Sequence, residues 1–261
     1  MAAAPAGPTL DSVSVRQWLW GPGFVTPGGR DEVQSLVKPL RLGPGMMFLD
    51  VAAGLGGAVR TVAESLNVDA VGYERDLALV HAGMALSAES GFARRAPVRV
   101  FDPESFDLPP ARFDGALARE ATYAVRDKER FLRVVKQGLK PTGSLVFADF
   151  VLDRGAGHSA ALADWAPAPD VTPVLWTRER YEDCLKSLGF EFLAIADTSG
   201  AYRALVMEGW EALTHRDELH RLPRLDAQFI IDEAERWTRT IQALDSGALR
   251  MIRIEAGARP L

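Results

Sequence analysis

Three acids and a glycine-rich turn are the residues of this chain whose types and spacing could do chemistry. The stretch LDVAAGLGG, Leu49 to Gly57, runs from a short apolar segment into an acid, Asp50, and then into closely spaced glycines. Gly54 and Gly57 fit the second and third glycines of a G-x-G-x-x-G turn, with Ala52 in the place of the first. A turn of this kind brings backbone close to the polar part of a nucleotide. Asp50 stands immediately before it, where a carboxylate would repel a pyrophosphate and attract an ammonium group. Glu74, in GYERD, ends a second apolar run and could accept hydrogen bonds from both hydroxyls of a ribose. Asp102, in VFDPE, ends a third and could accept from an adenine amine. Each acid alone reads as a solvated strand end. Together, behind one turn, they describe a site for a nucleoside that carries a cationic amino group.

The elements that must position these residues alternate. Apolar runs at MMFLDVA, DAVGYE, VRVFD, FDGALA and SLVFADFVL read as buried strands. Helical patterns lie between them: GGAVRTVAESL, residues 76–90 and residues 128–139. KPTG is expected to be a turn before the fifth strand. Alternation of this kind makes an α/β, doubly wound, mostly parallel sheet with helices on both faces. Ligands of such sheets bind at the carboxyl ends of the strands. After the fifth strand the rhythm changes. Residues 151–176 read as an insertion, a helix (177–188) and a strand (190–198) follow, and residues 199–247 read as two helices. Phe229, Ile230, Ala234, Trp237, Ile241 and Leu244 form the apolar stripe of the second. ALRMIRIEA is a last strand, expected beside the sixth as an antiparallel seventh.

The 261 residues are 48% hydrophobic and suffice for one core with a cap. A single domain is expected over 1–261, with residues 1–13 disordered. The net charge of −5 argues against a nucleic-acid partner. No segment reaches the ~18 apolar residues of a membrane span. The N-terminus lacks a signal-peptide pattern and the one cysteine, Cys184, allows no internal disulfide, so a cytoplasmic protein is expected. Cys184 itself reads as a small buried hydrophobe. The four histidines (His81, His158, His215 and His220) offer no metal-ligand spacing, and no metal is expected. Whether the chain is a monomer or a homodimer is left open.

The ammonium, ribose and adenine contacts together fit S-adenosylmethionine. On the stretches GPGFVTPGG (21–29), LDVAAGLGG (49–57), AVGYERD (70–76), AREATYAV (118–125) and LKPTGSLVFADF (139–150), the chain resembles the class I S-adenosylmethionine-dependent methyltransferases. It is most similar to their small-molecule branch containing the phosphoethanolamine methyltransferases. The resemblance implies a Rossmann-like seven-stranded fold with a helical lid, made of residues 14–30, 151–176 and 199–247. It implies S-adenosylmethionine as cofactor and S-adenosylhomocysteine as product. It adds Val25, Thr26, Arg75, Pro103 and Arg119 to Asp50, Ala52, Gly54, Glu74 and Asp102 as cofactor contacts. Ala52 is tolerable there if its φ is negative and a serious departure if it is positive.

Several family positions differ. The histidine after the fourth strand is Ala124, the tyrosine after the fifth-strand acid is Phe150, and the phosphate-gripping residues fall at Val171 and Pro173. A phosphobase acceptor is therefore not expected. Phe24, Tyr123, Phe150, Trp165, Trp176 and Trp18 or Trp20 would make an apolar, aromatic acceptor pocket, suited to an apolar ring or to a cationic amine. Glu120 matches a family carboxylate near an accepting amine; a salt-bridged acid beside Arg119 is the other reading. The expected reaction is N-methylation of a small-molecule amine, with Glu120 as base and Tyr123 orienting. The alternatives are O- or C-methylation of an apolar aromatic or quinone-like acceptor, a non-catalytic binding or regulatory relative, and, least favoured by Asp50 and the terminal strand, a nicotinamide-dependent oxidoreductase.

Overall fold

Met47–Val51, the first strand (β1), is buried from Phe48 onward because both of its faces are covered. The computed structural model describes residues 11–155, 160–163, 165, 171–215 and 227–257. β1 pairs in parallel with β2 (Asp69–Glu74) on one side and β4 (Phe113–Arg119) on the other. With β3 (Val98–Val100), β5 (Leu139–Leu152), β6 (Phe192–Asp197) and β7 (Leu249–Gly257), the sheet order is β3-β2-β1-β4-β5-β7-β6. The order reverses between β1 and β4, which opens a crevice at their carboxyl ends. β7 runs antiparallel to both β5 and β6, with Asp149 opposite Ile252 and Ile195 opposite Ile254. The expected seven-stranded doubly wound sheet with an antiparallel last strand is the observed one.

Two helical layers cover it. Helices α2 (Gly29–Val37) and α3 (Gly57–Leu66) pack Val33, Leu36, Val59 and Val62 on Phe48, Leu117 and Val146, and α4 (Leu77–Glu89) follows β2 on that side. On the other face α5 (Lys128–Gly138) and α7 (Arg178–Ser187) pack Phe131, Leu132 and Tyr181 on Phe113 and Phe147. A separate apolar cluster forms the cap over the strand ends. It joins α1 (Ser12–Trp20), α8 (Ser199–Thr214) and α9 (Ala227–Asp245) through Leu19, Trp20, Tyr202, Trp237 and Leu244, against Phe150 of β5. Gly209 permits the approach of α1 to α8, since a Cβ there would lie 2.3 Å from the Trp20 ring.

Some expected boundaries shift. Asp11 caps α1 through Ser14 N, so α1 begins inside the segment 1–13 expected to be disordered. KPTG is not a free turn: β5 begins at Leu139, and a register irregularity opposite Phe113 and Gly115 absorbs the segment. β3 is shorter than VRVFD. Within 151–176 the described residues include one turn of helix, α6 (Ala160–Ala163); His158, His220 and RLPRLD lie outside the described residues. The α9 stripe also differs. Phe229 is exposed, and Glu233 and Thr240 are buried in line with Trp237 and Leu244. No helix among the described residues is long and apolar enough to cross a membrane.

Candidate active site

Asp50 is the penultimate residue of β1, and its carboxyl is buried. It takes no hydrogen bond from the described residues. Burial pushes its pKa up to about 7, with Glu74 adding to the shift and Arg119 opposing it. The turn that follows is pinned to β2: the amides of Ala52 and Ala53 both donate to the Tyr73 carbonyl, at 2.8 and 2.9 Å. Gly54 N donates to Glu74 Oε2 at 2.8 Å, while Glu74 Oε1 accepts from Asp76 N at 2.9 Å. Burial raises the Glu74 pKa, and these backbone donors oppose the rise. The conformation of Ala52 is now decided: its φ is +84°, in the left-handed region. That is the costly case, worth roughly 1–2 kcal/mol for a residue with a Cβ.

Two cavities meet over this turn. The smaller, about 40 Å³, is lined by Asp50, Phe24 and Ala58 among others. The larger, about 360 Å³, extends past Glu74, Arg75, Phe101 and Pro103 on one side and Glu120, Tyr123 and Phe150 on the other. Val25, Thr26, Ala52, Gly54 and Arg119 border both. The Arg119 guanidinium donates to the Pro27 carbonyl, which ties the segment after α1 to the end of β4.

Glu120 follows Arg119 with a φ of +50°, a second non-glycine residue held in the left-handed region at the cavity wall. Its amide donates to the Ala148 carbonyl at 2.7 Å. Its Oε1 is buried without a hydrogen-bond partner among the described residues, 3.7 Å from Arg119 Nε. Burial raises its pKa and Arg119 opposes the rise. The next residues are clamped from below. Asp149 Oδ2 accepts from Thr122 N at 2.6 Å and Thr122 Oγ1 at 2.9 Å, and Thr122 Oγ1 also meets the Tyr181 hydroxyl at 2.6 Å. This clamp faces Tyr123 into the cavity, where burial raises its phenol pKa.

The expected aromatic set divides. Phe150 and Tyr123 line the larger cavity and Phe24 the smaller. Trp165 stands behind them, its ring 5.2 Å from Phe150 and its Nε1 donating to Thr240 Oγ1 at 3.1 Å. Trp18 packs against the cap cluster and does not border the cavity. Trp176 is not at the site: it sits in the sheet core, 5.1 Å from the Tyr181 ring and under the Arg180 guanidinium. Asp102 is not at the cavity wall either. It is exposed and accepts from Glu104 N and Ser105 Oγ of its own loop, which lowers its pKa; its neighbours Phe101 and Pro103 line the wall instead. Cys184 is half-buried, and burial pushes its thiol up to about 11, the behaviour of a packing residue.

Sequence reasoning missed a charged feature. Arg16 of α1 and Arg236 of α9 line the larger cavity, together with Trp237 and Thr240. Both guanidiniums pair with Glu233, Arg16 Nε to Oε1 at 2.7 Å and Arg236 Nη2 to Oε2. Trp237 Nε1 also donates to Oε2, at 3.1 Å. Burial would raise the Glu233 pKa, but the two arginines overcome it and hold it low. Charged side chains thus share the cavity wall with Val171 and Phe150, where Val171, Pro173 and Phe150 suggested an uncharged pocket. The sequence signal was a polar residue, Glu233, four before Trp237 on the face that Trp237 and Leu244 share.

Residues 29–195 match a family model described as a methyltransferase domain. The chain belongs to that family. Over 214 residues this methyltransferase chain is 30% identical to phosphoethanolamine N-methyltransferase 1 of Arabidopsis thaliana, covering 82% of this chain and 41% of that protein. It is 28% identical to an O-methyltransferase of Pyrenophora dematioidea, over 62% of this chain and 61% of that one. Among solved structures, Haemonchus contortus phosphoethanolamine N-methyltransferase 2, in complex with phosphomonomethylethanolamine and S-adenosylhomocysteine, superposes with a TM-score of 0.82 at 17% identity. That match covers 98% of this chain and 59% of the other, and shows the fold. The chain thus spans about two fifths of the length of the plant relative.

Proposed function

We propose that this chain transfers the methyl group of S-adenosylmethionine to a small, non-phosphorylated amine, with Glu120 as the general base. The observation that carries the reading is Glu120 itself. Its carboxyl is buried at the cavity wall, with Oε1 taking no hydrogen bond from the described residues and standing in a loose ion pair with Arg119, and it is held there by a strained backbone, a Glu120–Ala148 hydrogen bond and the Thr122–Asp149 clamp below.

The residues of the turn fit the cofactor. Asp50 presents a buried carboxyl without a hydrogen-bond partner among the described residues, suited to an ammonium group. Glu74 is fixed by Gly54 and Asp76 with its remaining lone pairs available to a ribose. Phe101 and Pro103 offer apolar faces to a base. Bound there, S-adenosylmethionine supplies an activated methyl group, so the protein's task is alignment and dehydration. Val25 and Thr26, anchored through Pro27 and Arg119, close one side. α1, α8 and α9 act as the lid that excludes water. Tyr123 and Phe150 hold the apolar body of the acceptor, and Glu120 takes the proton that an ammonium must lose before its nitrogen can attack. Burial raises the Glu120 pKa, which makes its carboxylate a stronger base.

The test is transfer of labelled methyl from S-adenosylmethionine to a panel of amines, phenols and phosphobases. Transfer to amines, slowed at least tenfold in Glu120→Gln, is the expected result. Exclusive transfer to phenols, or efficient methylation of phosphoethanolamine, would remove this reading.

A further inference from the structure

We infer that Tyr202 of α8 is the positioning residue of Glu120, its hydroxyl donating to the Glu120 carboxylate from behind the cavity wall. The inference rests on the reading of Glu120 as the base and adds the group that orients it. Tyr202 does not border the larger cavity. It lines a separate cavity of about 160 Å³ between α2, α8 and β7, together with Arg119 and Ala148. Both of those residues also hold Glu120. Arg119 Nε stands 3.7 Å from Glu120 Oε1, and the Ala148 carbonyl accepts the Glu120 amide at 2.7 Å. Tyr202 and Glu120 therefore abut the same two residues, one from the cap and the other from the chamber.

Tyr202 Oη and Glu120 Oε1 are both buried, and neither has a hydrogen-bond partner among the described residues. Each such atom costs stability, and one bond between them removes both costs. The two side chains already act on each other: Tyr202 lowers the Glu120 pKa, and Glu120 raises that of Tyr202. Burial holds the phenol well above its ordinary range, so it stays protonated and donates. Packing does not account for the hydroxyl. The Tyr202 ring meets Phe150 edge-on at 5.4 Å and Trp237 at 6.3 Å, contacts that a phenylalanine makes equally well. The place of the ring is set by the sheet. Tyr202 N donates to the Thr198 carbonyl and Thr198 N to the Met251 carbonyl, both at 2.8 Å, and Ser199 Oγ accepts from Met251 N at 2.9 Å. Met251 pairs with Phe150 across β5 and β7. The base hangs on Ala148, two residues before Phe150, so both partners are fixed to adjacent positions of one strand pair. With one oxygen held by Tyr202, the other is left to the cavity that Glu120 lines. Glu120 is also faced by Arg119 on β4 and Arg236 on α9, which lower its pKa, by Asp149 on β5, which raises it, and by the Tyr123 phenol.

Tyr202→Phe keeps the ring and removes the donor. The protein saturated with S-adenosylhomocysteine would be titrated by infrared spectroscopy, following the carboxylic-acid band that Glu120→Gln removes. That subtraction separates Glu120 from Asp149 and Asp50, which burial pushes up to about 6 and about 7. In Tyr202→Phe the Glu120 midpoint should rise by about one pH unit, the effect of one lost hydrogen bond to the ionised form. Fluorotyrosine at position 202, a more acidic donor of nearly the same shape, should lower it. An unmoved or lowered midpoint in folded Tyr202→Phe, or a midpoint that fluorotyrosine leaves unchanged, would overturn the inference. Melting temperatures report folding, and the fluorotyrosine protein decides the matter should Tyr202→Phe not fold. The infrared titration needs no acceptor, so it stands apart from the amine reading. Methyl transfer is read separately, at saturating cofactor, with the best amine of the panel above. Tyr202→Phe should slow it about tenfold and move its acid limb upward with the infrared midpoint. In the Glu120→Gln background the same change should cost less than about twofold, because the two residues act as one unit. Equal slowing in both backgrounds overturns the positioning role and spares the amine reading. Full activity of Glu120→Gln, with the infrared midpoint still moved by Tyr202→Phe, supports the Tyr202–Glu120 contact and removes the reading of Glu120 as base.

Discussion

Gly54 N and Glu74 Oε2 lie 2.8 Å apart, joined by a hydrogen bond that makes the glycine turn after β1 and the acid at the end of β2 one unit. The same carboxylate accepts from Asp76 N, so its orientation is set by backbone on both sides. Removing it disturbs both the turn and the proposed ribose contact. Glu74→Ala should weaken S-adenosylmethionine binding by ~1.5–3 kcal/mol, the range for a charged acceptor. Calorimetry measures it, and unchanged affinity would remove the ribose assignment.

Ala52 holds a φ of +84°, where glycine pays no steric penalty. Ala52→Gly relieves roughly 1–2 kcal/mol of strain, against about 0.4–1 kcal/mol of added unfolded-state entropy. A net stabilisation between zero and about 1.6 kcal/mol is expected in urea titrations, with the cofactor bound at least as tightly. A gain in cofactor affinity far beyond tenfold would instead show that the Ala52 methyl obstructs the site and would favour a non-catalytic role.

Asp50 supplies a pH dependence with a definite sign. Its pKa in the folded protein is raised from 3.8 to about 7, chiefly by burial. Between those values the folded form binds more protons than the unfolded form, so this group lowers stability as pH rises through that window. Glu74, Glu120 and Asp149 shift in the same direction. The ligand-free protein should therefore lose melting temperature from pH 5 to pH 8 more steeply than the Asp50→Asn variant. Cofactor affinity should rise through pH 7 as Asp50 ionises and drop in the variant. Parallel melting profiles for the two proteins would show that Asp50 does not carry the effect.

Glu120→Gln keeps the shape of the side chain and removes the base. Methyl transfer should slow by about 10²-fold, within the usual range for a lost acid–base group, while cofactor affinity stays within a factor of a few. Full activity would assign Glu120 to the Arg119 ion pair alone.

Trp176 and Trp237 offer a contrast between core and cavity wall. Trp176→Ala empties a site in the sheet core and should cost ~3–5 kcal/mol of stability, with the KM for the acceptor unchanged in protein that remains folded. Trp237→Phe removes the donor to Glu233 Oε2 and part of the cavity wall, and should raise the KM for the acceptor. An acceptor KM that responds to Trp176 and not to Trp237 would reverse their assignment.

What the sequence determined by itself was the scaffold and the acid-and-glycine face of the site. Parallel strands buried on both sides must read as unbroken apolar runs, and a turn that lets backbone approach a ligand must be rich in glycine. Asp50, Gly54 and Glu74 were legible because each is within a residue or a turn of such a signal, and the reversal of strand order brings those ends together. Tertiary structure alone decided the rest. The φ of Ala52 depends on the pull of the Tyr73 carbonyl from β2, which no local pattern encodes. An indole satisfies core and pocket equally by composition, so only packing separates Trp176, under Arg180 in the sheet core, from Trp237 at the cavity wall. The Asp102 loop closes on itself, and its carboxylate turns away from the wall that Phe101 and Pro103 line. Arg16 and Arg236 carry no local signal of a site. They meet at the cavity wall because α1 and α9, far apart in the chain, pack through Trp20 and Trp237 and enclose Glu233 between them.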